Sequence, residues 1–278
     1  MIVQITMIKN EIHLLREMMP VWKKYADGFV FMDDDSDDGT YEFLLENKEK
    51  YNIFEVLRAN HTEKNLIIES NVRQKLLDEA LKYSGNIICL DADEYLDGTI
   101  SKEQLEEILN TNTDTLFFAQ WIQYTGKNEI RVDGPWGMNF KDRIASYRKD
   151  YKFKNAHMHS EHLPNPGKTA SINPNAIFIA HLQWLDKETV AVKQYFWKIV
   201  DQVNKIKFNA NIISPIEYDN SVNNFEWKIA KIDFPLKIRE DVYKLHDIKN
   251  SFKYKFIKEN IKKYNIPNLN DWGMNIHE

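Results

Sequence analysis

Apolar positions in the first third of the chain form short continuous runs separated by stretches with helical spacing. The runs cover 3–8, 28–32, 53–57 and 86–90 and predict buried strands. Between them, apolar residues recur every three or four positions, and the stretch 69–83 predicts a helix that ends near a glycine. Strands that alternate with helices are typical of βαβ units. We therefore predict an α/β fold with a mostly parallel, Rossmann-like central sheet and flanking helices.

The pattern changes in the rest of the chain. Isolated strands are predicted over 115–124 and 176–181, and loops rich in Gly, Pro and Trp separate them. From Asp186 onward the apolar spacing is helical. We therefore expect one α/β domain over 1–185 and a helical C-terminal extension over 186–278.

Composition and charge exclude several classes of protein. The 278 residues carry 37 Lys+Arg and 42 Asp+Glu, a net charge of −5, so no overall positive field exists to hold nucleic acid. The mean hydropathy is −0.55, and no apolar run approaches the roughly 20 residues of a transmembrane helix. The single cysteine, Cys89, and an N-terminus without a signal-peptide pattern predict a cytoplasmic protein.

The segment 249–263 departs from this charge balance because it is basic, with aromatic residues between its lysines. Two interpretations stay open. The segment forms either a packed helix with a solvated lysine face or a helix in peripheral contact with a membrane surface.

Acidic residues are concentrated at two points where predicted strands end. Five of the six positions 33–38 are aspartate, and Asp91, Asp93 and Glu94 follow the run 86–90. Like charges this close repel one another unless a cation or hydrogen-bond donors lie nearby. Ligands of open α/β sheets bind at the carboxyl ends of strands, so we predict a binding site formed by these two acidic segments.

The residues of these segments resemble the motifs of family 2 glycosyltransferases with the GT-A fold. The stretch 31–40 is similar to the signature Val-Asp-Asp-x-Ser-x-Asp-Gly-Thr, and 71–74 together with 87–94 is similar to the block that ends in Leu-Asp-Ala-Asp-Asp. The opening 7–11, Met-Ile-Lys-Asn-Glu, is similar to the start of one subgroup. The resemblance covers roughly the first hundred residues. It implies a glycosyltransferase that moves a sugar from a nucleotide-sugar, a UDP-sugar by preference, to a hydroxyl acceptor on a glycan, lipid or protein with inversion.

The resemblance also implies a divalent cation, Mn²⁺ or Mg²⁺, which would neutralise the diphosphate of the donor. Asp91-Ala92-Asp93 resembles the Asp-x-Asp motif, and strand alternation would point both carboxylates the same way. We assign Asp93 to the metal and Asp91 to the ribose or, through water, to the metal. His181 resembles the late histidine that completes the metal site in many GT-A enzymes, and a purely structural role is the alternative.

Four further residues are implied to bind the nucleotide. By motif position, Asp34 would accept a hydrogen bond from the base, with Asp33 adjacent to it. Met7 would contact the base through its backbone. Arg73 would steady the nucleotide or order the acidic segment.

Transfer also needs a base that deprotonates the acceptor hydroxyl. In an inverting enzyme of this class it is a carboxylate well downstream of the Asp-x-Asp motif. Glu161 is the candidate we select, and Asp133 and Asp142 compete with it.

Two other functions stay open. His157-x-His159-x-Glu161-His162 is close to the His-x-His-x-Asp-His zinc motif of metallo-β-lactamase-like hydrolases, although it has Glu in place of Asp and leaves the first hundred residues unexplained. A catalytically silent nucleotide-sugar-binding protein is the third hypothesis. Donor sugar, acceptor, linkage and oligomeric state are outside what the sequence determines.

Overall fold

The structure is a computed structural model that describes residues 1–59, 69–137, 139–154, 161–245, 247–267 and 269–273. His157 and His159 of the candidate zinc motif lie outside these residues. The chain divides into two compact units. The first unit comprises Met1–Trp121 and Asn139–His181, and the second comprises Ile122–Met138 and Leu182–Glu278.

The elements follow the predicted order, with further strands after the second acidic segment. The strands are β1 (Val3–Ile8), β2 (Gly28–Asp33), β3 (Ile53–Arg58), β4 (Asn86–Cys89), β5 (Glu94–Asp97), β6 (Thr115–Gly126), β7 (Glu129–Arg131), β8 (Asn139–Ser146), β9 (Thr169–Ser171), β10 (Phe178–His181) and β11 (Ile229–Lys231). The helices are α1 (Ile12–Trp22), α2 (Thr40–Glu46), α3 (Lys48–Tyr51), α4 (Glu69–Ala80), α5 (Lys102–Thr111), α6 (Lys187–Phe208), α7 (Pro215–Val222) and α8 (Phe252–Tyr264).

A central sheet organises the first unit. Its strands follow the order β6, β8, β4, β1, β2, β3. The pairs β1–β2, β1–β4 and β2–β3 are parallel, whereas β8 is antiparallel to both β4 and β6. The predicted α/β class, with a central sheet containing parallel strands and helices around it, is confirmed. The structure adds the antiparallel strands, among them β10, which pairs with β5.

Burial on both faces explains why the early strands read as continuous apolar runs. All six residues of β2 are buried. Leu76, Leu77 and Ala80 of α4 pack in one cluster with Val3 and Val30. A strand covered on both faces carries no polar alternation, and this is the usual state of parallel strands in α/β proteins. Because β2 and β4 both run parallel to β1, their carboxyl ends lie at the same edge of the sheet. At these two points the chain leaves the core.

The second unit is helical beyond Asp186 and also contains β7, β11 and the end of β6. Tyr195 and Ile199 of α6 pack with Ile257 of α8 in its core. Within the described part of the chain, no helix combines the length and the apolar character needed to cross a membrane.

Candidate active site

The first acidic segment is held by donors from the start of α1. Asn10 donates from Nδ2 to Asp37 Oδ1 at 2.8 Å, and its Oδ1 accepts from the Asp37 amide at 2.8 Å. Asp38 accepts from the Ile12 amide at 3.2 Å and from the Thr40 amide at 2.9 Å. These local bonds satisfy amides at the start of two helices. Asp37 and Asp38 therefore have structural partners that offset their mutual repulsion without a cation.

Asp33 and Asp34 have different surroundings at the end of β2. Asp33 is fully buried, and its Oδ1 accepts from the Ser36 amide at 3.1 Å and lies 3.6 Å from Arg58 Nε. Within the described residues, Asp33 Oδ2 has no hydrogen-bond partner. Asp34 is paired with Lys9, whose Nζ donates to the Asp34 carbonyl at 2.6 Å. A buried carboxylate oxygen without a donor is costly, so Asp33 Oδ2 is suited to an N–H of a bound molecule.

Met7 lies beside this segment, near the end of β1. It pairs in register with Met32 of the parallel neighbour β2, two residues before Asp34. The Asp34 amide donates to the carbonyl of Ile8 at 2.8 Å. The structure thus brings Met7, Asp33 and Asp34 to one end of the sheet.

The second acidic segment is a turn. The Glu94 amide donates to the Asp91 carbonyl at 3.0 Å, and 91–93 lies between β4 and β5. The strand alternation expected for Asp91 and Asp93 is therefore wrong, because the chain has already left the sheet. Their side chains also differ in exposure, 41% for Asp91 and 7% for Asp93.

Asp93 is paired with the predicted late histidine. Its Oδ2 lies 3.3 Å from His181 Nε2, and both side chains are buried. His181 pairs in register with Glu94 across β10 and β5, and its ring stacks on Trp121 with centroids 4.5 Å apart. Strand pairing and ring stacking therefore fix the imidazole beside the carboxylate. Among the described residues, no group of three or more His, Cys, Asp and Glu side chains forms a complete metal site.

Asp91 faces a second imidazole and a buried arginine. Its Oδ2 lies 3.5 Å from His162 Nε2 and 3.4 Å from Arg143 Nη2. Burial raises the pKa of the Asp91 carboxyl, but contact with His162 and the charges of Arg143 and Arg73 outweigh burial and hold this pKa well below its usual range. Burial, aided by the two arginines, lowers the pKa of the His162 imidazole to about 3. At neutral pH, Asp91 is ionised and His162 is neutral.

Glu94 and Arg143 form a buried ion pair behind the turn. Arg143 donates from Nε to Glu94 Oε2 at 2.8 Å and from Nη2 to Oε1 at 2.9 Å. Glu94 also accepts from Trp121 Nε1 at 2.8 Å and from the Asp91 amide at 3.1 Å. Burial opposes the charge on Arg143, but Glu94 and Asp91 outweigh it and raise the pKa of the guanidinium. One carboxylate thus connects the Asp91 turn to Trp121, on which His181 stacks.

Arg143 was not among the site residues predicted from the sequence. Its only local signal is that a charged residue directly precedes the apolar pair Ile144 and Ala145 of β8. A cation in such a strand is expected to have a buried partner. The identity of that partner follows from the fold, because β8 pairs with β4 and the turn 91–93 after β4 leads to Glu94 at the start of β5.

Arg73 lies on α4 close to the end of β4. Its guanidinium donates to Glu69 at 2.8 Å and to the Cys89 sulfur at 3.9 Å. Burial raises the pKa of the Cys89 thiol to about 12, so Cys89 is a protonated core residue. Arg73 adds positive charge near Asp91, and this charge contributes to the lowered pKa of the Asp91 carboxyl.

The three candidate bases have different neighbours. Glu161 is half-buried and immediately precedes His162, the residue that contacts Asp91. Asp142 accepts from the His162 amide at 3.2 Å. Asp133 belongs to the second unit, where it is paired with the buried Arg131 at 2.8 Å. The structure brings Glu161 and Asp142 near the Asp91 turn, and it gives Asp133 a structural partner.

Comparisons with known proteins find distant structural likeness and no sequence relationship. No protein-family profile matches the sequence, and no curated protein sequence matches it. The chain is similar in structure to S. aureus TarS, at 13% identity and a TM-score of 0.43 over 81% of this chain and 42% of TarS. It is also similar to residues 1–349 of TarS in complex with UDP, at 13% identity and a TM-score of 0.42 over 82% of this chain and 75% of that one. A third similar structure is HddC from Yersinia pseudotuberculosis, at 8% identity and a TM-score of 0.41 over 66% of this chain and 94% of HddC. The chain thus spans less than half of the full TarS chain.

Proposed function

We propose that this protein is a glycosyltransferase of the GT-A type that uses a nucleotide-sugar, a UDP-sugar by preference, and transfers the sugar with inversion to a hydroxyl on a glycan, lipid or protein. The catalytic domain would span 1–185, with 186–278 as an extension. The observation that carries the proposal is the pairing of Asp93 with His181 at 3.3 Å, at the edge of the sheet where β2 ends on Asp33. Binding at the carboxyl ends of neighbouring parallel strands is the rule for nucleotides in open α/β sheets.

The residues present fit a divalent cation shared with the substrate. Two ligands about 2.1 Å from an octahedral ion and at right angles would be about 3.0 Å apart. Asp93 Oδ2 and His181 Nε2 are 3.3 Å apart, close to that separation. Hard cations at nucleotide sites take one or two protein carboxylates and complete their shell with phosphate oxygens and water. We propose that Asp93 and His181 hold Mn²⁺ or Mg²⁺, which would stabilise the charge of the departing diphosphate.

The nucleotide would be held by the two acidic segments. We propose that the base of the nucleotide donates an N–H to Asp33 or Asp34, with the Met7 backbone beside them. Asp33 Oδ2 is suited to this role because it is a buried acceptor with no hydrogen-bond partner among the residues that the structure describes. Asp91 would accept from the ribose hydroxyls, or bind the metal through water, because its lowered pKa keeps it ionised. Arg73 would support the binding of the nucleotide through its positive charge, which lies near Asp91.

Glu161 would act as the general base. In this role its carboxylate takes the proton of the acceptor hydroxyl as the new C–O bond forms and the bond from the sugar to the diphosphate breaks. Its position next to His162, which contacts Asp91, supports the choice of Glu161.

Calorimetry with UDP in the presence and absence of Mn²⁺ tests the proposed function. We expect UDP to bind in the presence of Mn²⁺ and to bind much more weakly without it. Tight zinc binding without nucleotide affinity would instead favour a hydrolase that uses the cluster His157-x-His159-x-Glu161-His162. Metal-dependent UDP binding without hydrolysis or transfer of any UDP-sugar in a donor panel would favour the catalytically silent protein.

Replacement of Glu161 by glutamine is expected to reduce transfer by about a hundredfold or more, because general-base catalysis contributes about 10²–10⁴-fold. UDP affinity in the presence of Mn²⁺ should not change, since Glu161 is not assigned to the nucleotide. Turnover and calorimetry on the same preparation measure both. Asp142→Asn and Asp133→Asn are the matched controls, and an active Glu161→Gln protein beside an inactive Asp142→Asn protein would assign the base to Asp142.

A further inference from the structure

Lys141 of β8 lies close to the side chains of the proposed metal site. Its Nζ lies 4.7 Å from the centre of the Trp121 ring, and the His181 ring stacks on the same indole. Strand β6, which carries Trp121, pairs with β8 and also with β10, which carries His181. On this part of the sheet, Trp121 therefore lies between Lys141 and His181. All three residues belong to the first unit.

The Lys141 ammonium is half-buried and has no anion in direct contact. Within the part of the chain that the structure describes, it forms no hydrogen bond and no ion pair, and it lies over the Trp121 ring. Burial and the charge of Arg143 lower the pKa of Lys141, although three nearby carboxylates act in the opposite direction. Burial of a charge is costly unless an anion is paired with it. The surroundings of this ammonium therefore favour an anion that a ligand supplies.

The two arginines near the second acidic segment are already bonded to carboxylates. Arg143 donates to Glu94 from Nε and from Nη2, and Arg73 donates to Glu69 from Nε. An anionic ligand could engage either guanidinium fully only by breaking these bonds. The ammonium on β8 has no such bonds, so it is the cation beside this segment that an incoming anion can take as its partner.

We propose that Lys141 binds the diphosphate of the nucleotide-sugar and stabilises the charge that develops there when the bond to the sugar breaks and its electron pair passes to the diphosphate oxygen. The inference rests on the proposed function and adds a residue to it. A departing diphosphate carries more negative charge than one divalent cation neutralises, so a cation held by Asp93 and His181 would leave part of that charge uncompensated. Lysine binds phosphate as a point charge, and lysines acting together with metal ions stabilise charged phosphate groups in transition states.

The positions of the groups agree with this role. A metal held by Asp93 and His181 would lie on one side of the Trp121 indole, and the Lys141 ammonium lies on the other. A diphosphate bound to the metal through one phosphate can extend across the edge of a single indole ring with the other. The long, flexible side chain of lysine lets its ammonium follow that second phosphate.

Titration of the full chain with UDP and with uridine, both in the presence of Mn²⁺, tests the proposal. Lys141→Met should lower the affinity for UDP by about tenfold or more, because it removes a charged hydrogen bond to phosphate. Its affinity for uridine should not change, since uridine has the base and the ribose but no phosphate. Lys141→Arg keeps the positive charge and should retain most of the UDP affinity. Lys149→Met, at an exposed position of the same unit, is the matched control and should bind UDP as the unmodified protein does.

The same titrations without Mn²⁺ distinguish direct binding from an effect transmitted through Trp121 to His181. If Lys141 contacts the phosphates, the difference in UDP affinity between the unmodified protein and Lys141→Met should persist without metal. A difference that disappears without Mn²⁺ would mean that Lys141 acts on the metal ligand, and equal losses for UDP and uridine would mean a general disturbance of the site. Either result would overturn the proposal.

The unmodified protein separates this inference from the proposed function. If it binds UDP and Lys141→Met binds UDP equally well, the inference fails and the proposed function stands. If the unmodified protein does not bind UDP with Mn²⁺, the proposed function fails and the role of Lys141 fails with it.

Discussion

Replacing Asp93 with asparagine is expected to reduce sugar transfer by about a thousandfold or more. Metal-ion stabilisation of a leaving diphosphate is worth several kcal/mol, and each 1.4 kcal/mol corresponds to about a tenfold rate. Asparagine has nearly the same volume as aspartate but no negative charge, so the proposed metal site of Asp93 and His181 would lose its anionic ligand. Because Asp93 is buried beside His181, the asparagine would leave the imidazole next to a neutral amide.

The decisive measurement is the metal dependence of UDP binding in the Asp93→Asn protein. The increase in UDP affinity on adding Mn²⁺ should disappear, while any metal-independent affinity should persist because Asp33 and Asp34 are intact. Asp150→Asn, at an exposed position, is the control for the loss of one carboxylate and should behave as the unmodified protein. A normal Mn²⁺ response in a folded Asp93→Asn protein would refute the assignment of this residue to the metal.

The sequence predicted the early part of the fold well, because β1, β2 and β4 are almost entirely buried and their sequences are mainly apolar. Thus 28–32 was predicted and Gly28–Asp33 is observed. The stretch 53–57 was also predicted, and Ile53–Arg58 is observed as a partly buried strand at the end of the strand order. The antiparallel β8 was not predicted. Its first half is exposed or half-buried and its second half is buried, so no single periodicity describes it.

For the candidate site, the sequence predicts which segments form it but not how their side chains are arranged. Both acidic segments were recognisable because motif and strand end coincide in the sequence. Their internal geometry was not, since nothing in the sequence indicates that 91–93 is a turn, in which the Glu94 amide donates to the Asp91 carbonyl. The pairing of Glu94 with Arg143 joins residues 49 positions apart and has no local signature. Long-range ion pairs of this kind are decided by sheet topology.

Arg143→Met is expected to lower the free energy of unfolding by about 3–5 kcal/mol, the usual cost of leaving one member of a buried pair unmatched. Glu94 is fully buried, and it would keep only its bonds from Trp121 and the Asp91 amide. Urea unfolding measures the change. Arg239→Met is the matched control, because Arg239 and its partner Asp241 are 48% and 47% exposed and the loss of this pair should cost under about 1 kcal/mol.

The double variant Arg143→Met with Glu94→Gln distinguishes the interaction free energy between the two side chains from the contribution that each makes to packing alone. Glutamine removes the unmatched charge but keeps an oxygen for Trp121, so the double variant should be more stable than Arg143→Met by at least about 1 kcal/mol. A double variant as unstable as the sum of both single changes would mean that the two side chains do not act as a pair. If they do, the interaction of Glu94 with Arg143 also holds the Asp91 amide in the turn, because Glu94 accepts a hydrogen bond from that amide. The same interaction then stabilises the fold and positions Asp91, the carboxylate that we propose contacts the ribose.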